Sequence, residues 1–143
     1  RPFLSSLLFA WSLTLLRVVL GVIFTYHGYG KLFAPGGFAG AVGFFAAIGI
    51  PLAKYAALLV AIVEFFGGVF LLLGMITKWS AVLLFLEMLV AFFKVHFKYG
   101  LLISQTAYGY EFVLLILAAL LVIMANGAGK FSLGKFLKKK FLQ

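Results

Sequence analysis

Four long apolar stretches run along the chain, over roughly residues 6–29, 53–74, 79–98 and 108–126, and each has an acidic or basic side chain set inside it. About 20 apolar residues rising ~1.5 Å each cross a bilayer, so each stretch is read as a membrane-spanning helix. Met75 to Lys78 forms a tight connection, which makes the second and third helices antiparallel neighbours. Residues 33–51, FAPGGFAGAVGFFAAIGIP, are apolar but broken by five glycines and bounded internally by Pro35 and Pro51. That stretch is too short and too broken to span, and is expected to be re-entrant or interfacial. Residues 99–107 read as a short loop and 127–143 as a polybasic tail. The expected fold class is all-α: an integral membrane four-helix antiparallel bundle, with a short re-entrant or interfacial segment between helices 1 and 2. Residues 1–143 form a single membrane domain in this reading.

Helical phase, about 100° per residue, predicts which faces pack. Ala10, Thr14, Arg17, Gly21 and Gly28 line one stripe of the first helix; Ala53, Ala57, Glu64 and Gly68 line one of the second; Ala107, Glu111, Ala118 and Ala125 line one of the fourth. Small residues mark close helix contact in membranes. On the third helix Glu87 falls with Ser80, Ala91 and Lys94, while His96 falls about 180° away. One of the two must leave a central site unless that helix bends.

Composition sharpens this picture. The chain is 66% hydrophobic and 10% charged, with a mean hydropathy of +1.23, far outside the soluble range. It contains no cysteine, which excludes disulfides, thiol redox chemistry and cysteine-ligated metal. It contains no Asp either, so carboxylate chemistry rests on Glu64, Glu87 and Glu111. The net charge of +9 points to lipid headgroups and orientation rather than nucleic acid. Arg1, Lys78, Lys130, Lys135, Lys138, Lys139 and Lys140 fall on one side of the expected membrane and Lys31, Lys54, Lys94 and Lys98 on the other. The positive-inside rule then places both termini in the cytoplasm. The chain begins at Arg1 rather than Met, so a preceding stretch is expected, and the run Leu7–Tyr29 is too long for a signal-peptide core.

Ionisable groups in hydrocarbon usually face a bundle interior, pair, or mark a pathway. Counted from the cytoplasmic ends, Arg17 and Glu64 each lie about 15 Å deep, with Glu87 near them, while His27, Lys94, His96 and Glu111 share an outer layer. Arg17 and Glu64 are therefore expected to form an ion pair, and His27, Lys31 and Glu111 to converge above Glu64. The catalytic candidates are Glu64, Glu111 and Arg17; the ligand-binding candidates are His27, Lys31 and His96. Structural readings stand beside these. Arg17 with Glu64 could fix helix register, Glu87 with Lys94 could be local neutralisation, and Lys31 and Lys54 could be interface anchors. A bis-His haem between His27 and His96 is geometrically conceivable but disfavoured by their facing, and no metal site is expected.

The residues resemble the DoxX family. Leu16-Arg17, Gly21 and His27-Gly28-x-x-Lys31-Leu32-Phe33 are similar to its first-helix signature, and Gly49-Ile50-Pro51 to its connecting segment. Glu64-Phe65-x-Gly67-Gly68 with Leu73-Gly74 and Thr77, then His96, Tyr110-Glu111 and Gly129-Lys130-Phe131-Ser132-Leu133 continue the likeness over nearly the whole chain. Two departures stand out: Gly134 where the family usually has an Asp, and Glu87, an additional acid. The resemblance implies a multi-pass protein of the bacterial or archaeal cytoplasmic membrane, linked to quinone oxidoreductase systems. In that reading the chain is a subunit of a quinone-linked respiratory oxidoreductase complex. Its Arg/Glu/His site handles quinone or protons, its contacts are membrane lipids and other subunits of a redox complex, and electrons arrive from a partner or a bound cofactor. The alternatives are a structural or assembly subunit of a larger membrane complex, and a small proton-coupled transporter.

Overall fold

The computed structural model describes residues 2–104 and 107–141. Arg1, used above for orientation, lies outside the described residues, as do the side chains of Lys139 and Lys140. The described chain is all-helical. Its α-helices are α1 (Pro2–Phe33), α2 (Gly37–Ala47), α3 (Ala53–Leu73), α4 (Thr77–Ala91), α5 (Glu111–Asn126) and α6 (Leu133–Phe141). A π-helical turn, Phe92–His96, and a 3-10 turn, Phe97–Tyr99, continue α4. Among the described residues there is no strand, only an isolated bridge between Ile103 and Tyr108.

Three helical stretches are long and apolar enough to cross a membrane: Leu4–Phe33, Ala53–Leu73 and Thr77–Tyr99. α5, with 16 residues, begins three residues later than the apolar pattern predicts, because residues 100–104 and 107–110 pair with one another instead of extending the helix. Tyr110 N donates to Gly100 O, Glu111 N to Leu101 O, and Ser104 N to Ala107 O. The glycine-broken segment contains an 11-residue helix, roughly 16 Å long by its rise.

Glycine brings α1 and α3 into contact backbone to backbone. A Cβ on Gly28 would fall 2.2 Å from Phe65 N, one on Gly68 2.4 Å from Thr25 N, and one on Gly21 2.7 Å from the Leu72 side chain. Each step forward along α1 matches a step back along α3, so the two run antiparallel and the predicted small-residue stripes meet. The N-terminal part of the α1 stripe has a different partner. Gly129 lies against Thr14, and Lys130 N donates to both Ala10 O and the Thr14 hydroxyl.

α4 packs on α3 and α5, and α5 closes back onto α1. The core between them is apolar: Leu20, Phe24, Leu71, Leu84, Leu120 and Ile123 are each no more than 3% exposed. On α5 the small-residue stripe does not pack. Val113, Ile116, Leu117, Leu120 and Ile123 form its buried face, while Glu111, Ala118 and Ala125 are exposed. Branched aliphatics fill the gap to α4 that alanines would leave empty. Many large apolar side chains point outward, among them Leu15, Leu59, Leu83 and Leu115.

Candidate functional site

The register between α1 and α3 decides which charges meet. With Gly28 opposite Phe65 and Gly21 opposite Leu72, Glu64 falls opposite the Gly28–Gly30 turn of α1, and Arg17 falls opposite the end of α3. Lys31, one turn of helix further along α1, donates to Glu64 Oε2 and forms the ion pair of the described residues. The expected Arg17–Glu64 pair is thus corrected. α1 overhangs α3 at its N-terminal end, so equal counts from the two helix ends do not reach equal depth.

Arg17 instead caps α3. Its Nη1 donates to Leu71 O at 2.7 Å and Leu72 O at 3.2 Å, and its Nη2 donates to Phe131 O at 2.6 Å. The last carbonyls of a helix lack intrahelical donors, and a cation there complements the helix dipole. At 2% exposed the guanidinium is a structural clamp, away from the cavity described next. Gly74 adjoins it in the left-handed region (φ 68°), where a Cβ would fall 2.3 Å from Nη1.

A cavity of about 720 Å³ opens between α1, α2, α3, α4 with its π turn, and the start of α5. Its ionisable lining is His27, Lys31, Glu64, Glu87, Lys94 and His96, and the rest of its wall is apolar. Glu64 is 7% exposed. Glu87 lines the same cavity as Glu64 and Lys31, and its Oε2 is buried without a hydrogen-bond partner. Two carboxyl groups thus share the chamber, and one of them, Glu64, is paired with the Lys31 ammonium. A smaller recess of about 360 Å³ shares His27 and Lys31 and lies against Gly37, Gly40 and Ala41 of α2. α2 can approach this closely because Gly37 sits on the α1 backbone, where a Cβ would fall 1.9 Å from Gly30 O.

The π turn resolves the conflict on α4. It advances each residue by less than an α-turn does, which brings His96 round so that it lines the same cavity as Glu87 and Lys94. Phe92 packs edge-on to Phe93 and against Tyr110, holding that wider turn in place. His96 Nδ1 lies 2.7 Å from Tyr108 O; a carbonyl only accepts, so Nδ1 carries the hydrogen and Nε2 is the nitrogen left for other partners.

Glu111 does not join His27 and Lys31, which corrects the predicted convergence. It is the first residue of α5 and exposed, and its Oε1 accepts from Ile103 N at 2.7 Å. α5 turns Phe112, Val113 and Ile116 towards the cavity instead. Glu87 is the reverse case. Its depth was legible, but its partners depend on the α3–α4 packing, which no local pattern encodes. Among the described residues no cluster of three or more His, Cys, Asp or Glu could hold a metal ion.

The comparisons agree with the segment that builds this cavity. A family model described as DoxX matches residues 12–97, which include every ionisable residue of the lining but not Glu111. An uncharacterised protein of Haemophilus influenzae is 35% identical over 133 residues, covering 90% of this chain and 93% of that one. A Bacillus subtilis protein named "Putative oxidoreductase CatD" is 37% identical over 84 residues, 59% of each chain. No solved structure matches. On the extent of the family match and the near full-length relative, the chain belongs to the DoxX family.

Proposed function

We propose that this protein is an integral membrane subunit of a quinone-linked oxidoreductase complex, and that the cavity around Lys31, Glu64 and Glu87 receives the quinone head. α1, α3, α4 and α5 cross the cytoplasmic membrane of a bacterium or archaeon as an antiparallel bundle, with α2 lying part-way in. Both termini face the cytoplasm, where the Arg17 clamp, Lys78 and the basic α6 gather. The outward-facing leucines suit a lipid environment, in which they cost nothing to expose. The name of the Bacillus relative supports an oxidoreductase connection.

The observation that carries the reading is the pairing of an apolar chamber with a small set of convergent polar groups. The donor chemistry fits a quinone: Lys31 and His27 offer hydrogen bonds to a carbonyl oxygen, and the unpartnered Glu87 Oε2 is placed to exchange a proton with the ligand. A bound quinone would supply two-electron carrier chemistry, with electrons from a partner subunit. This chain orients the head and moves protons. The recess beside Lys31 and His27 gives those protons a route from the aqueous side, with Glu64 and Glu87 as the inner stations.

The test is equilibrium binding of a benzoquinone to the purified protein in nanodiscs, alongside co-purification from native membranes. Wild type binds and a redox-active partner co-purifies; Lys31→Met and Glu87→Gln each weaken binding about ten-fold, the loss of one good polar contact. Absence of binding by folded wild type would overturn the reading in favour of an assembly role.

A further inference from the structure

The large cavity has an apolar side as well as a polar one, and that side is open. α2 packs on α1 and α3, and its remaining face, with Phe44, Phe45 and Ile48, borders the cavity opposite Leu83, Leu86 and Val90 of α4. The lining residues there are exposed at the molecular surface: Phe44 48%, Leu86 54%, Val90 52% and Leu83 51%. They lie on the flank of the helices, where lipid rather than water would meet them. Glu64 and Glu87 line the same continuous space. A single cavity thus joins a buried charged end to an apolar cleft that opens sideways between two helices.

From this we infer that the ligand is a two-part, lipid-soluble molecule that reaches the site laterally from the bilayer, its polar head against Lys31, Glu64 and Glu87 and its hydrocarbon tail lying in the α2–α4 cleft. The inference rests on the head-binding role proposed above and adds the route and the tail site. A cavity built for a tailless ligand would be closed by larger side chains at Val90 and Leu86 at no evident cost, since both positions face outward. Water-soluble molecules are excluded from the cleft by its wall; protons use the recess beside His27 and Lys31.

The experiment compares a benzoquinone bearing a decyl tail with the same benzoquinone lacking it, each binding to nanodisc-embedded wild type, Leu86→Trp and Val90→Trp. Both substitutions fall on exposed positions of α4, and binding of the tailless ligand reports that the site is folded. Wild type binds both. In the Trp variants the tailed ligand is expected to lose about ten-fold or more in affinity while the tailless one changes less than about two-fold. Equal retention of both ligands overturns the lateral cleft and leaves the head site standing, as does equal loss of both, which would make these positions part of the head site. Failure of wild type to bind either one overturns the quinone-head reading itself, and the tail site with it.

Discussion

Lys31 and Glu64 show what a single residue contributes and how far its role can be tested in isolation. Lys31→Met leaves two carboxyl groups in an apolar chamber without their cation, and breaking such a pair is costly because a charge stays behind. Combining it with Glu64→Gln removes the orphaned partner of the pair, so the double variant should regain part of the lost stability, with a coupling of roughly 1–3 kcal/mol in a thermal-unfolding cycle. Ligand binding should not recover. Independent, additive losses would sever the pair. Glu111→Gln should behave differently: the amide oxygen still accepts from Ile103 N, so unfolding temperature and benzoquinone affinity should both stay close to wild type. A loss of binding there would restore the convergence that its position in the fold denies. The contrast marks the limit of reading single residues from sequence. That Arg17 and Glu64 are buried polar groups was legible from their apolar surroundings, whereas Lys31 lay beyond the expected span and read equally as an interface anchor. Which one meets which was not, because partner choice follows from a helix offset set by glycine contacts along α1 and α3.

Helices bring in the next layer of specification. The α1–α3 seam depends on hydrogen atoms where other residues carry carbon. In Gly28→Ala the new methyl would meet backbone, not a side chain that can swing away, and the helices must part; overpacking of this kind costs about 1–3 kcal/mol. Gly40→Ala is the control, with nothing within 4 Å of its Cβ, and should leave the unfolding temperature unchanged or slightly raised. Similar shifts for both would mean the seam is not close-packed. Small-residue phase located this seam correctly on α1 and α3 because glycines at 21, 28 and 68 let the two backbones approach. It failed on α5, where Ala118 and Ala125 face outward and volume, not smallness, selects the buried face. Helix phase also foresaw that α4 could not present both Glu87 and His96 without a bend. A π turn is invisible to a fixed 100° count, so its location, Phe92–His96, was beyond sequence reach.

The whole molecule is organised as two ends joined by a chamber. Since the chain lacks cysteine, single cysteines report topology cleanly. Cysteine at Lys78 or Lys135 should react with a membrane-impermeant thiol reagent only from the cytoplasmic side, and cysteine at Lys54 or Lys98 only from the other. The reverse pattern would invert the orientation and move the recess beside His27 to the cytoplasm. The segment after α5 has a further role in assembly. Residues 128–134 seat on α1 through Thr14 and on Arg17 through Phe131 O. Ser132 then donates to Gly74 O at 2.7 Å while accepting from Lys135 N as the cap of α6. These contacts join the first helix to a stretch the ribosome makes after all the long helices. Until that stretch emerges, the Phe131 carbonyl that completes the Arg17 clamp does not exist, and the first helix carries a guanidinium with part of its coordination missing. A chain cut before residue 128 lacks that carbonyl, and its first helix should be cleaved faster in limited proteolysis than that of a chain carrying it.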